Sequence, residues 1–386
     1  MLDYTAGAVQ RYGRSVPVMA EAAQMMRAAA SVLESLRGVW EKEEAIVPVW
    51  DALSDVREAY RAVLMQDVTG EKTTMAADEL SRLLALYAAF VACGVRKAMA
   101  RGGGLCPTYF AYDVTAYTED EAGLHPTAFA VRRMPDFLEG QVRYLRLNIP
   151  QEEKERLAQA VRGSRLYDGR LGMYKVNAAL GEASYEIGRA HAFTPGWLEN
   201  ESVWLHMEYK YLLELLRSHQ YAQFVEDFGR AAVPFLDSAV YGRSVLENSS
   251  FIASSANPDP LLHGKGFVAR LSGSTAEFLS IWQIMLLGEQ VFTVRNGELT
   301  FALSPLLPAY LTKGTETIEA TLLGSTKVVY HITPGKRYIP GGYTAKELII
   351  CWRDGSTLTC ATDAVTGDAA RRIRGGEAVQ IDLTLC

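Results

Sequence analysis

Residues 291 to 303 read VFTVRNGELTFAL, and at this point the hydrophobic period of the chain changes. Apolar and polar side chains alternate on both sides of Asn296-Gly297, the dipeptide best suited to a two-residue hairpin turn because both positions tolerate positive φ. Just before it, Thr275 to Leu287 is an apolar stretch of helical character. Beyond it the alternation returns twice, in TIEATLLGSTKVVYHIT (317 to 333) around Gly324-Ser325 and in KELIICWRDGSTLTCAT (346 to 362) around Asp354-Gly355. VQIDLTL, at 379 to 385, reads as one more strand. Residues 289 to 386 are therefore expected to form a small antiparallel β-sandwich, with SPLLP at 304 to 308 as connecting chain.

Upstream, the period is that of a helix. From about Gly13 to Leu36 apolar residues recur at three and four positions (Val16, Met19, Ala23, Met26, Ala30, Leu33). A second periodic stretch follows Pro48, and a third runs from Met75 to Met99, with Asp78 and Glu79 suited to its first turn. Two more helices are expected from about Glu201 to Arg217 and from Tyr221 to Ala232. Between these elements, 101 to 151 is rich in Gly and Pro and reads as a long excursion, 167 to 196 as irregular loop, and 246 to 274 as polar loop. The fold expected is mainly α with a C-terminal β-domain, divided at 1–288 and 289–386.

Composition narrows the function classes. With 386 residues, 49% apolar and 22% charged, the chain can bury large cores. A net charge of -6 without a basic stripe argues against nucleic acid. No run of eighteen apolar residues and no secretion-signal pattern appears, so a cytoplasmic protein without a membrane partner is expected. The five cysteines are odd in number and lack metal-ligand spacing, so they read as free thiols, and no metal is expected.

Three runs concentrate polar chemistry. In PGWLENESVWLH (195 to 206), Glu199 and Asn200 are expected at the mouth of a helix whose free amides attract anions, with His206 just inside. The plainer alternative is that Asn200 caps that helix and His206 is a core residue. In HGKGFVARLSGSTAEF (263 to 278), Gly264 and Gly266 permit close backbone approach, Lys265 brings a positive charge, and Ser272 and Gly273 open a helix. The spacing of a nucleotide P-loop is absent, so ATP is not implied, and a capped glycine-rich turn is the alternative. LENSSFIASSANPD (246 to 259) is rich in short side chains that suit sugar hydroxyls, and Trp197, Trp204 and Phe251 can stack on pyranose faces; solvated turn and core packing are the alternatives. No carboxylate pair can be assigned as acid and base by counting.

At these runs the chain resembles glycoside hydrolase family 94, the inverting phosphorylases of the cellobiose and chitobiose type, and the related module of cyclic β-1,2-glucan synthases. Pro195, Gly196, Glu199, Asn200 and His206 match one motif of that family. His263, Gly264, Lys265, Gly266, Leu271, Ser272 and Gly273 are similar to a second, with Lys for Arg and Ser for Thr. Tyr12-Gly13-Arg14-Ser15-Val16 resembles a degenerate third. The likeness is strongest from about 190 to 288. It implies part of an (α/α)6 barrel followed by a β-domain. It further implies transfer of a glucosyl unit from a β-glucoside or β-glucan to inorganic phosphate, the co-substrate, without any cofactor. Phosphate would be bound by His206, Ser272 and Gly273, and sugar by Glu199, Asn200, Lys265 and Trp197. The family's general acid, an Asp, has no counterpart here and is expected upstream. The resemblance thus implies the C-terminal portion of an enzyme, paired with an N-terminal partner chain or as a homodimer. Two alternatives stand beside it: a non-catalytic carbohydrate-binding fragment, and a transglycosylating module of a glucan synthase.

Overall fold

The computed structural model describes residues 15–42, 46–65, 70–121, 123–181, 183–268 and 272–386, which fall into two compact units, Met1–Met134 and Pro135–Cys386. Tyr12, Gly13, Arg14 and Leu271, singled out above, lie outside the described residues.

In the first unit, strand β1 (Ser15–Met19) pairs antiparallel with β2 (Lys72–Ala76), and each runs directly into a helix, α1 (Ala20–Ser35) and α4 (Ala77–Arg101). Between them lie α2 (Arg37–Trp40) and α3 (Ile46–Met65). The helical period expected from Gly13 thus begins only at Ala20: β-branched Val16 and Val18 flank Pro17, which disfavours helix at the residue before it. α1 and α4 bury Ala23, Ala30, Leu33, Leu80, Leu83 and Leu86 against Met75, and Arg27 spans the surface to Glu79. The expected excursion contains a long hairpin, β3 (Phe110–Asp120) with β4 (Gly123–Arg133). By length and composition α4 is long and apolar enough to cross a membrane, and its apolar window is mostly exposed.

The second unit is built around one buried helix. α5 (Leu138–Leu145) and α6 (Gln151–Arg162) precede the short ribbon β5 (Tyr167–Asp168) and β6 (Met173–Tyr174). Strand β7 (Val203–Trp204) leads without a break into α7 (Leu205–Arg217). Leu205, Leu212, Leu213, Leu215 and Leu216 are buried together with Tyr209, Tyr211 and Glu208, so α7 is enclosed all round, as a central helix must be. α8 (Tyr221–Ala231), α9 (Ser238–Tyr241), strands β8 (Phe251–Ile252) and β9 (Gly266–Phe267), and α10 (Ser272–Leu287) follow, with α5, α8 and α10 packed on α7.

The alternating segments form two sheets. β10 (Phe292–Arg295) and β11 (Glu298–Ala302) close the Asn296-Gly297 hairpin, with positive φ at both turn residues. After α11 (Ala309–Thr312) come β12 (Thr317–Leu322), β13 (Thr326–His331), β14 (Ala345–Trp352), β15 (Thr357–Cys360), β16 (Ala364–Thr366), α12 (Gly367–Arg374) and β17 (Ala378–Leu385). The sheets run β10-β11-β16 and β12-β13-β17-β14-β15 and share one apolar core that includes Phe301, Val328, Ile350, Val365, Ile373 and Ile381.

Two expectations are corrected here. The larger sheet is mixed, because β13 and β17 run parallel. The (α/α)6 barrel is contradicted: the described residues are 41% helix and 26% strand, in twelve helices and several small sheets, with no closed barrel. The physical reason is that strands interrupt the helices in both units, and two of the helices expected as one layer, α1 and α4, close a core of their own on a β-ribbon.

Candidate functional site

The three polar runs, the first some forty residues before the other two, meet on one small sheet. Val203 and Trp204 of β7 pair with Ile252 and Phe251 of β8, and these pair in turn with Gly266 and Phe267 of β9. Both outer strands are antiparallel to β8, so β7 and β9 run in the same direction. Each precedes a long helix, β7 running directly into α7 and α10 beginning five residues after β9. Trp197 packs edge-on to Phe251 with ring centroids 5.0 Å apart and lies 4.4 Å from Phe267, while Trp204 stacks on Phe251 at 5.8 Å.

The sheet is held by close backbone approach. Gly266 lies against the Tyr241 ring, and Gly196, at φ +74°, lies against the Asn257 backbone. Left-handed conformations cluster here in residues that do not favour them: Leu198 and Glu201 in the first run, and Val268 just after β9. Such conformations cost about 1 to 3 kcal/mol each and gather at ligand sites and switches.

Each expected site residue has a definite place. His206 is the second residue of α7, with Nε2 3.6 Å from Oε2 of Glu277 on α10. Ser272 and Gly273 are the first two residues of α10. Asn200 is buried and donates from Nδ2 to the Phe193 carbonyl at 2.7 Å. It does not cap a helix, because β7 intervenes and α7 starts five residues later. Glu199 is engaged by Arg189. Lys265 forms no ion pair among the described residues; its backbone carbonyl accepts from Ala253 at 3.0 Å. His263 bonds the Asn257 carbonyl through Nε2 at 2.8 Å.

Several residues that organise the site were not singled out from the sequence. Asp168 accepts from the Ser255 amide at 2.7 Å and the Ser255 hydroxyl at 2.8 Å, and from the amides of Arg170 and Leu171, which ties the β5–β6 turn to the 254–259 loop. Asn177 accepts from the Glu201 amide at 2.8 Å, and Lys175 pairs with Glu201 at 2.6 Å, bracing the strained turn. The Asp168-Gly169 dipeptide was the available signal, since Asp before Gly marks a turn whose side chain bonds nearby amides. Beneath the sheet, α7 carries Glu208, whose Oε2 accepts from the Tyr174 amide at 2.8 Å while Oε1 has no protein partner. Burial raises its carboxyl well above the ordinary range, with a smaller contribution from Asp227.

The charge on His206 reflects opposed influences. Burial and then Lys210 lower its pKa, whereas Glu277 and Glu139 pull it upward, and the net shift is downward.

A cavity of about 860 Å³ opens in the first unit, lined by Trp40, Phe90, Phe110, Phe129 and Val131, with Lys97 and Arg101 among its few polar groups. Burial pushes the Cys106 thiol in its wall up to about 11. The cavity is lined mainly by apolar side chains and holds none of the residues expected to act. The sheet of the second unit, with converging polar groups and strained backbone, is the stronger candidate on chemical grounds. No known protein family and no curated protein matches the chain.

Proposed function

We propose that the β7–β8–β9 sheet and the starts of α7 and α10 form the phosphate and sugar end of a glycoside phosphorylase-type site. One observation carries this reading: the three polar runs converge on the sheet, and the two parallel outer strands precede helices that face each other through His206, in the first turn of α7, and Glu277, in the second turn of α10. The α10 start, the imidazole of His206 and a nearby ammonium, Lys210, suit an oxyanion. The aromatic faces of Trp197 and Trp204 suit the apolar side of a sugar ring.

In the reaction this reading implies, an oxygen of inorganic phosphate attacks the anomeric carbon as the bond to the leaving sugar oxygen breaks. That oxygen takes a proton from a carboxylic acid not among the residues assigned here. His206 and the α10 start hold the phosphate; Asn200 and the aromatic rings shape the sugar side. Unlike the fold first expected, this assignment needs no helical barrel: it depends only on the local sheet.

The test is phosphate binding by calorimetry, together with sugar 1-phosphate release from β-glucans. Phosphate should bind, and His206→Ala should weaken it roughly tenfold or more, the equivalent of one hydrogen bond to a charged group. Phosphate binding indifferent to His206→Ala, or glucan cleavage independent of phosphate, would refute the assignment.

A further inference from the structure

The His206 ring is flanked by charged groups on three helices. Its Nε2 faces Glu277 at 3.6 Å from α10, five residues and so about 7.5 Å of helix rise inward from Ser272. Glu139 on α5 and Lys210, one turn further along α7 itself, also act on it through their charge. Among the described residues Nδ1 has no hydrogen-bond partner, and the His206 side chain is 30% exposed. A separation of 3.6 Å is too long for a directional hydrogen bond, so Glu277 acts on the ring through its charge.

We propose that Glu277 is a positioning residue for His206: its carboxylate, facing Nε2, is the counter-charge that favours the imidazolium and so sets the upper pH limit at which this end of the sheet holds an oxyanion. The inference rests on the reading of His206 as an anion ligand. Burial and Lys210 both discharge the ring, and without an opposing carboxylate it would lose its charge at still lower pH. Lys210 serves the anion directly by charge, yet works against the imidazolium. Glu277 and Glu139 offset that second effect, and Glu277 is the larger of the two.

Two measurements on the full chain separate this inference from the reading beneath it. The first follows the His206 ring by NMR titration without phosphate, its signal assigned by its loss in His206→Ala. Glu277→Gln should move the titration down by roughly half a unit or more, as expected for loss of a nearby opposite charge at a partly exposed site. Glu277→Asp should stay closer to the wild type, and Lys210→Met should move it up. A His206 midpoint that is the same in wild type and Glu277→Gln overturns the inference whatever phosphate does.

The second measures inorganic phosphate affinity against pH. In Glu277→Gln the high-pH limb of binding should shift down by the same amount as the titration, whereas a purely structural role would weaken binding equally at every pH. If the titrations move as expected and phosphate does not bind the wild type, the role of Glu277 toward the ring stands and the phosphate assignment fails.

Discussion

Replacing Gly266 with Ala tests whether the small sheet is what assembles the site. A Cβ at this position would stand 2.2 Å from Cε2 and 2.7 Å from Cζ of Tyr241, and 2.9 Å from Oγ of Ser249. Carbon contacts are relaxed only near 3.5 Å, so something has to yield by more than an ångström. Tyr241 is 1% exposed and pinned: its hydroxyl donates to the Glu247 carbonyl at 2.9 Å and accepts from the Ser249 amide at 2.8 Å. If the ring moves, those bonds break in a buried place. If β9 moves instead, the bonds from Ala253 N to Lys265 O and from Gly264 N to Ala253 O are lost. Overpacking costs about 1 to 3 kcal/mol, and an orphaned buried polar group costs about 1 to 3 kcal/mol more. The sum, about 2 to 6 kcal/mol, should lower the melting temperature of a unit of this size by about 4 °C or more. The control is Gly297→Ala: with φ +82° and open space around it, only the left-handed conformation is penalised, about 1 to 2 kcal/mol. Adding Tyr241→Ala should cost less on the Gly266→Ala background than on the wild type, since the cavity takes the methyl group. Calorimetry and urea unfolding read all four proteins. If Gly266→Ala melts no lower than Gly297→Ala, or the double variant is strictly additive, the steric argument is wrong.

Two further outcomes follow from the polar groups around α7. Burial raises the Glu208 carboxyl above its unfolded value, so its stabilising neutral form is fully present below the ordinary glutamate range and is lost as pH rises through the folded value. Urea unfolding should therefore show Glu208→Gln gaining on the wild type between pH 5 and 8; parallel pH profiles would show that Glu208 is not the group responsible. Arg162 donates to Asp227 at 2.6 Å, and the Tyr174 hydroxyl donates to the same carboxylate at 2.7 Å. Arg162→Met leaves that fully buried side chain without its cation and should cost about 3 to 5 kcal/mol, a loss that a denaturation curve resolves and that Asp227→Asn in the same chain should partly restore.

What could be read in advance was local. The turn at Asn296-Gly297 is where it was expected, because a two-residue turn is decided by the φ those residues tolerate, whereas the two later hairpins close near the expected positions through three-residue loops, 323–325 and 353–355. The helices after Pro48, Met75 and Tyr221 also follow their 3.6-residue period. The β3–β4 hairpin went unseen because Gly102 to Gly104 and the prolines drew attention to breakage rather than to the β-branched and aromatic residues between them. At the candidate site, Pro195–His206 and His263–Phe278 were legible as polar runs. Their meeting was not, since β7, β8 and β9 are two residues long and too short to show any period. Asp168 carries only the turn signal of Asp before Gly, and Asn177 and Glu208 carry none: what marks them is the partner each finds.

Sequence alone therefore settled where the longer helices coil and where the C-terminal strands extend, for these depend on neighbours within a few residues. Only the tertiary structure decided that α1 and α4 close on a ribbon instead of joining a barrel, that β13 lies parallel to β17, and that His206 faces Glu277. Each of those pairs residues some fifty or more positions apart, and the period of an element reports its own buried face without identifying what will cover it.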